Sequence, residues 1–183
     1  AVVESFVEGK EISVDLFVQN RKAIILCTSF SDKIQDLHKF VIYKGWYPAN
    51  ISNEVFIKIE KAAQKIVDAF NLVNCPMLMQ VLVKDDDIFV VEFSARTGGC
   101  VKYRLIELAS GVDVIKATVD LFDGKTPDIQ IHMSDKYIVD EFIYCTKGEF
   151  DHLSGADECV AEGILKEVHL LKTRGSQFEA VNS

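Results

Sequence analysis

The chain has 183 residues, 49% of them hydrophobic, and a formal net charge of −8. It is long enough to bury a sizeable core, and without a dense run of Lys or Arg it lacks the charge pattern of a nucleic-acid-binding protein. No stretch approaches the ~20 consecutive apolar residues of a transmembrane helix. The composition therefore predicts a globular protein whose partners are neither nucleic acids nor membranes.

The cysteines indicate the redox environment. They are odd in number and scattered, and no CxxC pair occurs: Cys27, Cys75, Cys100, Cys145 and Cys159. A disulfide framework or a zinc site would need paired spacings. We therefore predict reduced thiols in a cytoplasmic protein.

The N-terminal third predicts two strands, a loop and a helix. Apolar residues alternate over residues 12–18, as in a half-buried strand, with Glu11, Ser13 and Asp15 on the other face. A polar turn leads to a second strand over residues 23–28. Residues 29–50 show no period and predict a long functional or mobile loop. Ser52 is the predicted N-cap of a helix that ends near Asn71.

The remainder predicts a hairpin followed by alternating helices and strands. The hairpin joins strands 78–83 and 88–93 through a loop of three aspartates. Two helices follow, one at residues 103–109 and one capped by Asp113. The C-terminal part predicts a strand near 137–145, a small helix near 156–162 and a strand at 164–171.

Side-chain parity in the hairpin separates an apolar face from a polar one. Side chains alternate across a strand, so the odd positions form an apolar core face that includes Phe89 and Val91. Gln80, Glu92 and Ser94 share the opposite face. A three-residue loop that pairs Lys84 with Ile88 would set Glu92 opposite Gln80.

These oxygen-bearing side chains suit one kind of ligand. Mg²⁺ prefers hard oxygen donors and keeps coordination positions for water or substrate phosphates. The alternative is a solvated strand face on which Gln80 and Glu92 are ordinary surface residues. Arg96, Gly98 and Gly99 follow, offering a guanidinium and close-approaching backbone amides to an anion at a helix start. The alternative for Arg96 is a surface ion pair.

Two segments in this order resemble the ATP-grasp superfamily, in the C-terminal half of the ATP-grasp domain of carboxylate–amine ligases such as carbamoyl phosphate synthetase, biotin carboxylase and D-alanine–D-alanine ligase. VVESFVEGKEISVDLFV (Val2–Val18) resembles the family's hinge and Gly-x-Glu strand. MQVLVKDDDIFVVEFSARTGG (Met79–Gly99) resembles its metal-binding hairpin. The resemblance implies an α+β fold with a mostly antiparallel sheet and flanking helices.

The resemblance also implies a set of site residues. Glu4 and the backbone at Phe6 and Val7 would hold adenine, and Glu11 the ribose hydroxyls. Mg²⁺ would be bound by Gln80, Glu92 and Ser94. Arg96 would contact the transferred phosphate, with Gly98 and Gly99 beside it. The family's usual asparagine and proline are replaced by Ser94 and Ala95, which puts direct metal binding by Ser94 in doubt.

The implied reaction uses Mg-ATP to convert a small carboxylate into an acyl phosphate, which an amine or thiol acceptor then attacks. Residues 1–135 would be the C-terminal part of the ATP-grasp domain, and residues 136–183 a truncated extension. We expect the chain to be a fragment of a longer enzyme that is inactive without its N-terminal domains. A homodimer is an assembly that this enzyme could form. Two alternatives stay open: a degenerate module that binds a nucleotide or a partner without catalysis, and a plain α/β domain whose polar strand face pairs with another domain.

Overall fold

The computed structural model describes residues 3–34, 41–145 and 147–178. Two compact units divide the chain: the first is drawn from residues 1–32 and 44–141, the second from 33–43 and 142–183, as far as these ranges are described. Within the described ranges, none of the helices combines the length and the apolar character that a membrane span requires. All five cysteines are free thiols, as the sequence predicts.

A six-stranded sheet carries the first unit. Its strands are β1 Lys10–Gln19, β2 Lys22–Lys33, β3 Ile42–Tyr47, β4 Cys75–Lys84, β5 Asp87–Ser94 and β6 Ile138–Glu141. Their order in the sheet is β5-β4-β1-β2-β3-β6. The pairs β1–β2, β1–β4, β4–β5 and β3–β6 are antiparallel, so the predicted mostly antiparallel α+β fold is confirmed.

Helix α1, Asn53–Ala69, covers one face of this sheet. Ser52 caps it as predicted, because its side chain accepts a hydrogen bond from the Val55 backbone N–H at 3.2 Å. Its buried stripe recurs at helical spacing and packs on the even-numbered residues of β1: Val55, Ile59, Ala63 and Val67 against Ile12, Val14, Leu16 and Val18. These contacts form the larger of the two apolar clusters that surround the sheet.

Helices α2, Lys102–Ser110, and α3, Val114–Phe122, contribute to the second apolar cluster, with Phe17 of β1 and Cys27 of β2. Both helices lie close to their predicted positions. Gly111 ends α2 in the left-handed region at φ 74°, and Asp113 caps α3 by accepting from the Lys116 N–H at 2.8 Å. Phe17 and Cys27 lie on the sheet face opposite α1, so this cluster buries part of that second face.

The predicted loop over residues 29–50 is wrong at both ends. Strand β2 continues to Lys33, and residues 42–47 form β3; residues 35–40 lie outside the described part of the chain. Strand β3 alternates in burial, with Gly45 and Tyr47 buried and Trp46 exposed between them. Glycine and lysine inside this segment hide the period of 2 that the backbone follows.

The second unit departs most from the predicted elements. Helix α4, Ala156–Ala161, is confirmed. Residues 164–171, predicted as a strand, form none, and Ile164, Leu170 and Leu171 are exposed. Strands β7, Gly148–Glu149, and β8, Gln177–Phe178, pair instead. Two-residue strands are too short to show a period, so the sequence does not predict them.

The turn between β4 and β5 is shorter than predicted. Lys84 pairs with Asp87 rather than with Ile88, so the loop has two residues, Asp85 and Asp86. Their φ angles are 49° and 61°. Positive φ at both central residues defines the type I′ turn that tight hairpins favour. The predicted three-residue loop is therefore wrong.

A bulge in β5 restores the predicted register at Gln80. Gln80 pairs with Glu92, but the next residue of β4, Val81, pairs with Val90. Val91 is the additional residue, and a bulge of this kind reverses the alternation of side chains along its strand. The predicted Gln80–Glu92 pair is thus confirmed: the bulge adds the residue that the turn lacks.

The same bulge changes which β5 residues reach the core. Ile88, predicted on the polar side, packs against the α1 cluster. Phe89 and Val91, predicted in the core, are 42% and 43% exposed. The unbroken apolar core face expected at odd positions is therefore wrong for β5 between the turn and Glu92, although Met79 and Val81 of β4 are fully buried.

Candidate functional site

The sheet face opposite α1 carries four of the ten predicted site residues, Glu11, Gln80, Glu92 and Ser94, in ordered rows. Strand register aligns residues of β1, β4 and β5 across the sheet, about 4.8 Å from strand to strand, and successive rows on one face are about 6.7 Å apart. We call this the polar face. Its three rows are Glu11–Leu82–Phe89, Ser13–Gln80–Glu92 and Asp15–Leu78–Ser94.

The central row brings together two of the three predicted metal ligands. Gln80 and Glu92 are direct cross-strand neighbours, so one amide oxygen and one carboxylate face the same space. Ser94 pairs with Leu78 in the next row. Its short hydroxyl is therefore farther from Glu92 than Gln80 is, in keeping with a water-mediated role.

The donor set of this row fits a hard cation that keeps part of its own shell. Oxygen ligands without imidazole or thiolate suit Mg²⁺, which is commonly held by one or two carboxylates plus waters and phosphates. Among residues 3–34, 41–145 and 147–178, no group of three or more His, Cys, Asp or Glu side chains could hold a metal ion. A metal here would therefore depend on Glu92, its amide neighbour and oxygens from outside the protein.

The first row pairs an acid with apolar surface. Glu11 stands beside Leu82 in register, and Leu82 beside Phe89. Phe89 and Glu92 share this face only because of the bulge between them, which is why parity alone places Phe89 in the core. An exposed apolar platform next to a carboxylate suits a planar ring attached to a hydroxylated sugar.

The segment before β1 carries the residues that the resemblance assigns to adenine. Glu4 and Phe6 are exposed, Phe6 to 93%, and Val7 is half-buried. Gly9 connects this segment to the strand, and a Cβ there would lie 2.9 Å from the Val83 carbonyl oxygen. Only glycine permits this approach without a shift of one backbone. The Gly-x-Glu motif thus sets the segment against β4 and Glu11 on the polar face.

The loop after β5 passes from the polar face to α2. Arg96 is exposed, and its Nη1 donates to the Thr97 carbonyl oxygen at 2.9 Å. A Cβ on Gly98 would lie 2.7 Å from Lys102 Cγ, whereas one on Gly99 would meet nothing within 4 Å. The two glycines therefore differ: Gly98 is pressed against a side chain, and Gly99 faces open space.

A buried charged cluster, absent from the predicted site, lies beneath this loop. Lys102 Nζ is 3.3 Å from Asp15 Oδ2, and it donates to Ser29 Oγ at 2.8 Å and to the Tyr47 hydroxyl at 3.0 Å. Asp15 is 1% exposed, Ser29 fully buried and Tyr47 3% exposed. The signal for it in the sequence is Asp15 itself, an acid on a strand whose neighbours are almost all apolar.

Burial and neighbouring charges shift the pKa values of the ionisable groups in and beside this cluster. Burial raises the pKa of Asp15, and the Lys102 charge partly offsets that effect. Burial alone would lower the pKa of Lys102, but the Asp15 charge and the Tyr47 hydroxyl outweigh it and raise that pKa. Burial raises the pKa of Tyr47, and separately that of the Cys27 thiol, to about 12. Lys102 is therefore a cation at neutral pH.

The fold and the polar face define the class of protein. It is an antiparallel α+β domain in which an apolar platform, an oxygen-rich row and a glycine-containing loop follow one another along one side of the sheet. The model of the ATP-grasp domain family matches residues 1–103, more than half of the chain. The chain therefore belongs to the ATP-grasp family, and the predicted family is confirmed. A search of curated proteins found no match.

Solved structures with the same fold are enzymes of greater length. Phosphoribosylglycinamide synthetase from Anaerococcus prevotii superposes with a TM-score of 0.76 at 17% identity, over 96% of this chain and 46% of that one. An L-amino acid ligase from Bacillus licheniformis superposes with a TM-score of 0.73 at 17% identity, over 97% of this chain and 44% of that one. A biotin carboxylase–βγ-ATP complex from Campylobacter jejuni superposes with a TM-score of 0.62 at 17% identity, over 74% of this chain and 30% of that one. The chain thus spans less than half of each.

Proposed function

We propose that this chain is the nucleotide- and metal-binding part of an ATP-dependent ligase. The observation that carries the proposal is the Gln80–Glu92 pair, which stands between an apolar row with an acid and a loop with an arginine and two glycines. A nucleoside triphosphate needs those three features in that order: a surface for the base, oxygens for its cation, and donors for its terminal phosphate.

Each row then has a role. Leu82 and Phe89 would support the adenine ring together with Glu4 and the backbone at Phe6 and Val7. Glu11, beside Leu82, would accept hydrogen bonds from the ribose hydroxyls. We assign the metal to Gln80 and Glu92, with Ser94 acting through a water. Along the polar face, the groups assigned to adenine, ribose and metal thus come in the same order as the base, sugar and phosphates of the nucleotide.

The loop residues would act on the transferred phosphate. A carboxylate oxygen of the substrate attacks the terminal phosphorus and ADP leaves, which forms an acyl phosphate; the amine or thiol acceptor then attacks the acyl carbon, phosphate leaves and the acceptor loses its proton. Arg96 would hold the phosphoryl oxygens as a bidentate donor, and the Gly98 and Gly99 amides would approach them. Positioning and charge neutralisation supply most of the rate in such transfers. Mg²⁺, when bound, neutralises phosphate charge.

The proposal extends to a longer enzyme. Because the chain spans less than half of the solved structures that it matches, we propose that further domains complete the nucleotide clamp. Residues 1–135 are assigned to the ATP-grasp domain, and 136–183 to an extension. The 183-residue chain alone is then expected neither to turn over ATP nor to bind it tightly; micromolar Mg-ATP binding by isothermal titration would contradict this expectation.

The experiment that tests the ligase assignment changes Glu92 in the full-length protein. Glu92→Gln removes the single anion of the central row and is expected to abolish product-coupled ATP hydrolysis, with weaker Mg²⁺ binding in a separate titration. Glu60→Gln, an exposed residue of α1, is the matched control and is expected to behave as the wild type. Equal activity of the two variants refutes the assignment.

A second candidate rests on Ser94 and Ala95, which stand where the family has asparagine and proline. A module that binds a nucleotide without catalysis would tolerate both changes. It would show Mg-ATP binding in the full-length protein that Glu92→Gln weakens, with no ATP consumption by the wild type in the presence of pooled carboxylates and amines.

A further inference from the structure

We propose that the buried Asp15–Lys102 ion pair positions the Arg96–Gly99 loop for phosphate binding, so that both residues are positioning residues of the site. This inference rests on the proposed function and deepens it. Neither residue lies in the row that would hold the metal. Asp15 lies one row away from it on the polar face, and Lys102 begins the helix that follows the loop.

The Lys102 ammonium is fully engaged by the protein. Its Nζ donates hydrogen bonds to the Ser29 hydroxyl at 2.8 Å and to the Tyr47 hydroxyl at 3.0 Å, and it forms an ion pair with the Asp15 carboxylate at 3.3 Å. The side chain is only 17% exposed. All three of its partners are groups of the protein. The ammonium therefore links α2 to β1, β2 and β3 rather than binding a ligand.

The loop rests directly on this pair. A Cβ placed on Gly98 would lie 2.7 Å from Lys102 Cγ and 3.2 Å from Asp15 Oδ1. The Gly98 backbone thus touches both members of the pair at once, and its N–H lowers the Asp15 pKa against the dominant effect of burial. A change in either side chain therefore alters the surface on which the Gly98 backbone rests. Gly98 is next in the chain to Gly99 and two residues from Arg96.

A role in stability alone does not account for the pair. Desolvating two charges costs several kcal/mol, and well-packed apolar residues in place of a buried pair are often as stable or more so. What such a pair does supply is a fixed geometry, because an ammonium held by three partners can occupy only one position. A loop that must present donors to phosphate oxygens within a fraction of an ångström has use for that constraint.

The test compares two charge-neutral double variants in the full-length protein. Asp15→Asn with Lys102→Met removes both charges at nearly constant volume, so no unpaired charge is left buried. Lys116→Met with Asp120→Asn removes a pair on α3 whose lysine is exposed and whose aspartate is half-buried, and it is the control. We expect the first variant to fold and to lose Mg-ATP affinity by about tenfold or more, whereas the control binds as the wild type.

Hydrogen exchange gives a readout that does not require the nucleotide. In the unliganded protein, the backbone amides of residues 96–101 are expected to exchange faster in the first double variant than in the control, while those of β1 and β4 exchange alike. If the first double variant fails to fold, Lys102→Arg takes its place: it keeps the charge, but its planar fork cannot direct three donors from one nitrogen, and the same losses are expected.

The outcomes separate the two proposals. A wild type that does not bind Mg-ATP overturns the proposed function, and the exchange data then decide the inference by themselves. A wild type that binds, together with a folded variant of equal affinity and unchanged exchange at residues 96–101, overturns the positioning role and leaves the proposed function standing. Reduced affinity with faster exchange confined to the loop supports both.

Discussion

Glu92 of β5 lies directly opposite Gln80 of β4, one residue after Val91, which a bulge leaves outside the ladder. The two side chains therefore share a face with Ser13, while the hairpin beyond the bulge carries Phe89 onto the same face. One inserted residue thus places the Gln80–Glu92 pair and the apolar platform of Leu82 and Phe89 on the same face.

The hairpin turn predicts a stabilising substitution. Asp86 has a φ of 61°, a region that costs a non-glycine residue about 1 kcal/mol. Asp86→Gly should stabilise the protein by roughly 0.5–1 kcal/mol in urea unfolding, less a small loss from the Ser52 hydroxyl contact. Asp87→Gly, one residue further and inside β5, should destabilise it. Stabilisation of both or of neither would contradict the type I′ assignment.

The two glycines of the loop are expected to differ in tolerance. Gly98→Ala should destabilise the protein by about 1–3 kcal/mol, because the added Cβ would lie 2.7 Å from Lys102 Cγ. Gly99→Ala should leave the melting temperature within about 2 °C of the wild type, because its Cβ meets nothing within 4 Å. Thermal unfolding of both variants checks this; a larger loss for Gly99→Ala would show that the loop packs differently.

The Cys27 thiol predicts a loss of stability at high pH. Its pKa is raised from 9.0 to about 12 in the folded protein, so the folded state retains a proton that the unfolded state releases. The contribution is complete below pH 9 and is lost as the pH rises towards 12. Between pH 8 and 10.5 the wild type should lose about 2 kcal/mol more than Cys27→Ala.

Urea unfolding at these two pH values measures the difference. Cys27→Ala is expected to be less stable than the wild type at pH 8 because it leaves a cavity, so only the change between pH values is compared. Parallel losses in the two proteins would mean that the thiol titrates normally in the folded state.

The α1 interface predicts a strong dependence on position within one helix. Ile59 is fully buried and packs on β1, whereas Ile57 is 48% exposed. Ile59→Ala should lower the free energy of unfolding by about 2–5 kcal/mol, and Ile57→Ala by less than about 1 kcal/mol. Chemical denaturation of the pair checks the assignment of the buried stripe, and equal effects would rule it out.

The sequence by itself determined the features that depend on local chemistry. Alternation in β1, the Ser52 and Asp113 caps and the Gly111 helix end all follow from side chains interacting with their own backbone or from a period that burial imposes on one strand. The family motifs are equally local, and Glu92 is visible as a carboxylate that ends an apolar run. These elements can be predicted because each is determined by a few residues that are adjacent in the sequence.

Tertiary structure alone decided the features that depend on partners distant in sequence. The bulge at Val91 arises where β5 must match both a two-residue turn and its register with β4, so parity could not reveal it. Lys102 finds its acceptors on three strands, 55 to 87 residues away. A buried charge is stable only with its partners, and the sequence shows the charges without showing which of them meet.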